Sequence, residues 1–337
     1  MNSVLVTGGC GFIGSNFINY FHEKHPSVII VNVDAMYYCA DENNVNKQVK
    51  ESKQYHFVKG NLCSQDLITH VLNNYNIDTV IHFAAQSHVQ NSFDDSLKYS
   101  YDNILGTHTL LECCRLYGKV NRFIHISTDE VYGESSLNDV EKKDELSILC
   151  PTNPYAATKA GAELLANSYR FSFKMPIIIT RGNNVYGPNQ YPEKLIPRFI
   201  ELLKNGKKVT IQGDGSNVRA FLHVSDVARA VELILLKGQV GEIYNIGSDD
   251  HDEYTVLDVA KRLIRMIHNT ENYDRYIEYI EDRPFNDKRY YISNEKVKEL
   301  GWTICTSFQD GLTRLLGEGG YIPLTPCSTK GERSEPT

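Results

Sequence analysis

The stretch Thr7-Gly8-Gly9-Cys10-Gly11-Phe12-Ile13-Gly14 limits what this chain can fold into more than any other. It follows a β-branched run at 4–7 and opens a helical pattern over 15–25. Gly9, Gly11 and Gly14 satisfy G-x-G-x-x-G, while Gly8, Gly11 and Gly14 satisfy the shifted form G-x-x-G-x-x-G. In such a loop one glycine permits the tight turn, one lets the backbone approach a pyrophosphate, and one lets the helix pack close to the strand. A diphosphate would then sit over the helix N-terminus, where free amides and the dipole favour negative charge, with Phe12 and Ile13 beside it. Glycines alone also suit a plain strand-to-helix turn. Asp34 adds position: it ends the second expected strand roughly twenty residues past Gly14, the place for a carboxylate on adenosine ribose hydroxyls. That arrangement favours NAD over its 2′-phosphorylated form.

Further short β-branched runs at 28–34, 55–59, 79–83, 122–127 and 177–180 alternate with amphipathic stretches of helical length. This is the rhythm of an α/β, Rossmann-type doubly wound parallel sheet. After Arg181 the regularity weakens, with Pro188, Pro192, Pro197, Gly213 and Gly215 before a helix from Ser225. A strand-like run at 242–246 is expected to rejoin the main sheet, and helices are expected at 255–268 and 308–316. The predicted division is therefore interleaved: 1–180 plus 222–248 for the dinucleotide, 181–221 plus 249–322 for a smaller substrate lobe, and a disordered polar tail at 323–337.

Composition narrows the function classes. A net charge of -7 over 337 residues argues against a nucleic-acid partner, which needs clustered excess Lys and Arg. No run approaches the ~20 apolar residues of a membrane helix, and no signal-peptide pattern precedes the first strand, so a cytoplasmic enzyme is expected. The eight cysteines form no CxxC pair and read as reduced, small core residues. His82, His88, His125 and His223 lack metal-ligand spacing, and no metal is predicted.

The closing residues of the other strands complete the cofactor reading. Asn61 and Leu62 follow the third strand, where the Asn61 carbonyl could accept from the adenine amino group, and Ala84, Ala85 and Ser87 follow the fourth, where small residues let a cofactor pass. Tyr155 and Lys159 share a helix face four residues apart, so the ammonium can reach the phenol and, through the cofactor ribose, lower its pKa, making it a base for a sugar hydroxyl while hydride leaves the same carbon. The spacing recurs at Tyr20/Lys24 and Tyr55/Lys59, but only Tyr155/Lys159 follows the fifth strand at the carboxyl-end crevice. That strand closes in Thr128-Asp129-Glu130, where adjacent carboxylates can have their pKa values pushed apart into one acid and one base. A solvated acidic turn is the plainer alternative.

Taken together, TGGCGFIG (7–14), HFAAQSHV (82–89), STDEVYG (127–133), PTNPYAATKAGAE (151–163), NNVYGPNQYPEKLIP (183–197), GDGSNVRAFLHVSD (213–226), YNIG (244–247) and DRPFNDKRY (282–290) make the chain resemble the nucleoside-diphosphate-glucose 4,6-dehydratases of the extended short-chain dehydrogenase/reductases. The resemblance runs from about residue 4 to 317. It implies a lyase that oxidises C4, eliminates water across C5 and C6, and returns hydride to C6, with NAD regenerated each turnover. Carried over by motif, Tyr155 and Lys159 serve the oxidation, Thr128 binds near O4, Asp129 protonates O6 and Glu130 removes the C5 proton. Asn184, Glu193, Lys194, Arg219 and Arg283, with Ser87, are implied for the sugar, diphosphate and base. A homodimer built on helices near 95–117 and 154–173 is likewise implied.

The chain departs from the bacterial dTDP-glucose pattern, which usually has Asp at Asn61 and His at Asn286. The strings TRGNNVYGPNQ and DRPFNDKRY look more like the UDP-glucose dehydratase part of plant UDP-rhamnose synthases, so UDP-glucose is expected ahead of dTDP-glucose. A UDP-sugar 4-epimerase and a non-catalytic NAD-binding scaffold are the alternatives.

Overall fold

The computed structural model describes residues 1–249, 252–282 and 287–317. Arg283, Asn286 and the expected tail at 323–337 lie outside the described residues. In chain order the strands are β1 (Ser3–Thr7), β2 (Ile29–Asp34), β3 (Tyr55–Lys59), β4 (Thr79–His82), β5 (Arg122–Thr128), β6 (Ile177–Gly182), β7 (Asn184–Tyr186), β8 (Val209–Gln212), β9 (Val218–His223), β10 (Ile243–Ile246), β11 (Glu253–Thr255) and β12 (Ile277–Ile280).

Among the described residues, seven strands form one sheet in the order β10-β6-β5-β4-β1-β2-β3. Every pairing in it is parallel. The runs are apolar throughout because both faces are covered, and alternation sends neighbours to opposite sides. Val4, Ile30, Ile124 and Ile178 pack under helices Phe12–Lys24 and Val224–Lys237. Leu5, Val31, Phe123 and Ile177 pack under Gln65–Asn74, Gly106–Tyr117 and Pro154–Phe173. The chain winds outward from β1 to β3 and then returns to β4 on the other side of β1, so the carboxyl ends of β1 and β4 flank a crevice.

The second lobe has its own core. Helix Val256–His268 buries Val259, Ala260, Leu263 and Ile264 at helical spacing against Phe199, Leu203, Val209 and Ile211. Thr255 and Asp258 close a capping box at its start, and Asn269 ends it in the left-handed conformation at φ 50. Truncating Leu263 to Ala would cost about 2–5 kcal/mol. Two small sheets, β11-β9-β7 and β12-β8, carry residues of this lobe, while β10 returns to pair with β6 in the main sheet.

One expectation is refined and one corrected. The helix expected near 95–117 is present from 96 to 117 but is not α throughout: Asp95 caps its start, Ser96–Tyr99 is α-helical, Ser100–Leu105 is π-helical, and Gly106–Tyr117 is α-helical again. Inside the wide turn, Asn103 bonds the Gln86 backbone in both directions and the Thr158 hydroxyl, contacts that anchor the stretch to neighbouring elements. Cys10, Cys39, Cys63, Cys113, Cys114 and Cys150 are free thiols as expected, whereas Cys305 is disulfide-bonded. Among the described residues no helix is long and apolar enough to cross a membrane.

Candidate active site

The glycine loop resolves which of its two readings holds. Gly8 adopts φ +72, and a Cβ there would stand 2.7 Å from the Ala84 backbone. A Cβ on Gly14 would stand 2.4 Å from the Gly8 carbonyl oxygen, and one on Gly9 2.3 Å from Asn32 Oδ1. Gly11 is the least crowded of the four, although a Cβ there would still press on the Gly8 oxygen at 3.3 Å. Gly9 therefore serves the fold, donating its N–H to Asn32 Oδ1 at 3.0 Å, while Gly8, Gly11 and Gly14 line a cavity of about 230 Å³. The shifted glycine pattern is the one that faces the crevice.

All the residues assigned from sequence to the cofactor line that cavity: Phe12, Ile13, Asp34, Asn61, Leu62, Ala84, Ala85, Ser87, Tyr155 and Lys159 join the three glycines. Asp34 Oδ2 accepts from Cys10 N at 2.9 Å and Oδ1 from Met36 N at 2.8 Å, which fixes the carboxylate at the end of β2. Burial raises its pKa and these two donors oppose the rise. The Asn61 carbonyl oxygen already accepts from Cys63 N at 2.8 Å, and its amide donates to the Tyr37 hydroxyl at 2.8 Å. Tyr37, Gln86 and Asp102 also line this end and were not anticipated, because nothing in their spacing signals a shared site.

A second cavity of about 330 Å³ adjoins the first and is lined by Glu130, Asn184, Glu193, Lys194 and Arg219, among others. Glu193 and Lys194 line both cavities. They also tie the lobes together: the Tyr38 hydroxyl donates to both Glu193 oxygens at 3.0 and 2.9 Å, and Lys194 Nζ donates to the Ser87 carbonyl at 2.8 Å. Arg219 lies 5.4 Å above the Tyr290 ring and donates to the Val218 carbonyl at 2.8 Å.

At the junction of the two cavities stands the end of β5. Thr128, 8% exposed, and Asp129, 2% exposed, sit behind the cavity walls, whereas Glu130 reaches the second cavity. Burial first, and then the neighbouring Glu130, push the Asp129 carboxyl up to about 7. Burial also raises Glu130, and Asn153, Lys194 and Arg219 oppose that rise much as Asn183, Thr128 and Arg219 oppose it for Asp129. What distinguishes the two carboxyls is place: Glu130 lines the second cavity and Asp129 does not. Each has an amide partner that sequence spacing did not flag: Asn183 Nδ2 donates to Asp129 Oδ2 at 2.7 Å, and Asn153 Nδ2 donates to Glu130 Oε2 at 3.0 Å. Both amides fall inside quoted motifs, but a neutral side chain offers no titration logic to single it out.

Asn153 does two jobs. Its Oδ1 caps helix Pro154–Phe173 by accepting from Ala156 N at 2.9 Å, with Pro154 in the first turn where its missing N–H costs nothing. The same cap sets Tyr155 near Thr128, whose hydroxyl favours the ionised phenol. Lys159 is expected to act on Tyr155 through the cofactor ribose; the side chains by themselves set the opposite tendency. Burial, then Glu130, hold the phenol well above its ordinary value, and Lys159 Nζ donates to the Ile126 carbonyl at 2.6 Å. Burial lowers the Lys159 ammonium to about 8. Among the described residues no group of three or more His, Cys, Asp or Glu is placed to hold a metal ion.

The family model described as GDP-mannose 4,6 dehydratase matches residues 5–315. A trifunctional UDP-glucose 4,6-dehydratase/UDP-4-keto-6-deoxy-D-glucose 3,5-epimerase/UDP-4-keto-L-rhamnose-reductase of Arabidopsis thaliana is 48% identical over 314 residues, which are 93% of this chain and 46% of that protein. The chain thus spans less than half the length of such plant relatives. The dTDP-D-glucose 4,6-dehydratase of Dictyostelium discoideum is 43% identical over 353 residues, covering 93% of this chain and 80% of the relative. The crystal structure of the dTDP-glucose 4,6-dehydratase DesIV from Streptomyces venezuelae, with NAD bound, superposes with a TM-score of 0.87 at 37% identity, covering 93% of this chain and 95% of that one. With the glycine crevice, the capped tyrosine helix and the paired carboxyls all inside the matched span, this chain belongs to the GDP-mannose 4,6 dehydratase family.

Proposed function

We propose that the protein is an NAD-dependent sugar-nucleotide 4,6-dehydratase acting on UDP-glucose. The observation that carries the reading is the unequal pair at the end of β5: Asp129 is enclosed and held to about 7, while Glu130 opens to the second cavity beside Lys194 and Arg219. An epimerase needs oxidation and reduction at C4 but no elimination pair. The crevice fits NAD by two features: Gly8, Gly11 and Gly14 line it with no side chain to obstruct a ligand, and the Asp34 carboxylate is held at the end of β2.

Held by the residues of the glycine crevice, NAD would supply a hydride acceptor for C4 and the hydride for C6. Tyr155 takes the O4 proton, with Thr128 holding that oxygen. Burial and the carboxyls oppose a phenolate, so the nearby cationic Lys159 and the oxidised nicotinamide must offset that cost. The C4 ketone acidifies C5–H, and Glu130 removes that proton. Asp129 gives its proton to O6, the C6–O6 bond breaks, and water leaves with a C5=C6 double bond formed. Hydride return to C6 and a proton to C5 complete the 4-keto-6-deoxy sugar. Lys194 and Arg219 face the diphosphate, Arg219 through a planar fork suited to two oxygens, and Asn184, Glu193 and Ser87 position the sugar and its linkage. Identity to the plant UDP-glucose relatives and the departure at Asn286 from the bacterial dTDP-glucose pattern favour uridine as the base.

We further propose a homodimer. Leu97, Leu164 and Phe171, exposed at 82%, 61% and 62%, lie in the two helical stretches where the family resemblance puts that contact. Incubating the purified protein with UDP-glucose or dTDP-glucose and weighing the product tests the activity: loss of one water is expected, faster for UDP-glucose. Galactose without water loss would overturn the dehydratase in favour of an epimerase. Glu130→Gln should retain NAD and slow elimination by on the order of 10²–10⁴; an unimpaired rate would remove Glu130 from the chemistry.

A further inference from the structure

Where the cavity passes beyond Asp34, it runs over the carboxyl end of β3, the edge of the sheet, two strands from β1 and on the far side from Tyr155. A dinucleotide laid across the strand ends with its reactive ring at Tyr155 brings its adenine here. Asn61, Tyr37, Gln86 and Asp102 line this end, and their hydrogen bonds have one direction. Cys63 N donates to Asn61 Oδ1, Asn61 Nδ2 donates to the Tyr37 hydroxyl, and that hydroxyl donates to Asp102 Oδ1 at 3.0 Å. From the other side Gln86 Nε2 donates to Asp102 Oδ2 at 3.0 Å. Every donor in the chain leads to one carboxylate.

We infer that Asp102 is the group that reads the adenine amino group, in place of the carboxylate the chain lacks at Asn61. The inference rests on the NAD reading above. Asn61 has one of its two acceptor lone pairs taken and is neutral, whereas each Asp102 oxygen accepts only one of these bonds and has further capacity. An ionised acceptor makes a bond roughly twice as strong as a neutral one to an exocyclic N–H. Asp102 is also held in place. It sits in the π-helical turn, a distortion that recurs at functional sites, and the adjacent Asn103 pins that turn to Gln86 by bonds of 2.7 and 3.0 Å. The Lys98 ammonium, 5.0 Å over the Tyr37 ring, keeps the tyrosine from swinging away.

The test uses apoprotein, with NAD and nicotinamide hypoxanthine dinucleotide as probes; the second replaces the adenine amino group by oxygen, turning the donor into an acceptor. Affinities are read by titration calorimetry, without turnover. The unmodified protein should prefer NAD by on the order of tenfold or more, the worth of a charge-assisted hydrogen bond. Asp102→Asn should weaken NAD binding about tenfold and cut the preference to roughly threefold or less. Asn61→Ala should weaken both dinucleotides alike and leave the ratio standing. Should Asp102→Asn fail to fold by its thermal transition, Asp102→Ser gives Tyr37 a hydroxyl to donate to and carries the same expectation. Retention of the full preference in the Asp102 variants, or its collapse in Asn61→Ala instead, overturns the assignment. If the unmodified protein binds neither dinucleotide, the NAD reading fails and takes the assignment with it; binding of both without preference sinks the assignment alone.

Discussion

Replacing Asn153 by Asp separates the chemical role of this residue from its structural one. The new side chain still offers an oxygen to Ala156 N, now bonded at 2.9 Å, and Asp caps helices as well as Asn does. Toward Glu130, however, a donor 3.0 Å from Oε2 becomes a second carboxylate. Two charges about 4 Å apart at an effective dielectric near 20 repel by about 4 kcal/mol, or roughly three pKa units. Allowing the side chains to swing apart, on the order of two units should remain. Burial already raises Glu130, so the change adds to an existing shift. Glu130 must be ionised to take the C5 proton, and a higher pKa moves the acid limb of the pH–rate profile upward. The expected result is an acid limb in kcat/KM for the sugar nucleotide displaced by about two units, with the plateau recovered at high pH. Stability follows the same sign: the native state holds the proton more tightly than the unfolded chain, so Tm stays near the parent value at low pH and falls as pH rises through the raised pKa. Asn153→Ala should instead lose about 1 kcal/mol of cap at every pH. An unmoved acid limb in Asn153→Asp would show that Asn153 is a cap and nothing more.

Three further outcomes are expected. Asp129→Asn should abolish turnover yet raise Tm at pH 8 more than at pH 4, because a carboxyl held at about 7 costs stability once pH exceeds its unfolded value; equal Tm changes at both pH values would contradict the burial argument. Gly14→Ala, whose Cβ would stand 2.4 Å from the Gly8 oxygen, should lower Tm and NAD affinity together, whereas Gly11→Ala, at 3.3 Å, should keep Tm and lose affinity; melting curves and dinucleotide titration distinguish them. Leu164→Glu with Phe171→Glu should shift the mass in light scattering from dimer to monomer, and an unchanged mass would place the contact elsewhere.

The main sheet was legible because parallel strands covered on both faces are continuous apolar runs, and its seven members fall where those runs lie. Strands β7 and β11 were not, since three residues carry no periodicity. The π geometry at Ser100–Leu105 was hidden for a different reason: a π turn is stabilised by what Asn103 reaches, and those partners are distant in sequence. Charged and aromatic site residues inside the quoted motifs could be argued from position, whereas Tyr37 and Asp102, outside them, could not. Asn183 and Asn153 could not, because their task is to orient a carboxylate, and only proximity reveals it. The glycine loop illustrates a limit of pattern alone: two overlapping spacings fit, and the Asn32 amide decides between them.

The return of β10 to the sheet has a consequence for how the molecule is made. Its register with β6, Ile243 opposite Ile179 through Ile246 opposite Gly182, supplies the outermost strand from residues that follow the first part of the second lobe. A nascent chain that has emerged only as far as β6 leaves that strand's outer row of amides and carbonyls unpaired. Closing the edge spans some sixty residues, a long-range contact whose entropic cost precedes its reward. Synthesis stalled in that interval would expose a template for pairing with another chain, so premature truncation between the two strands should yield aggregate rather than a stable half-enzyme.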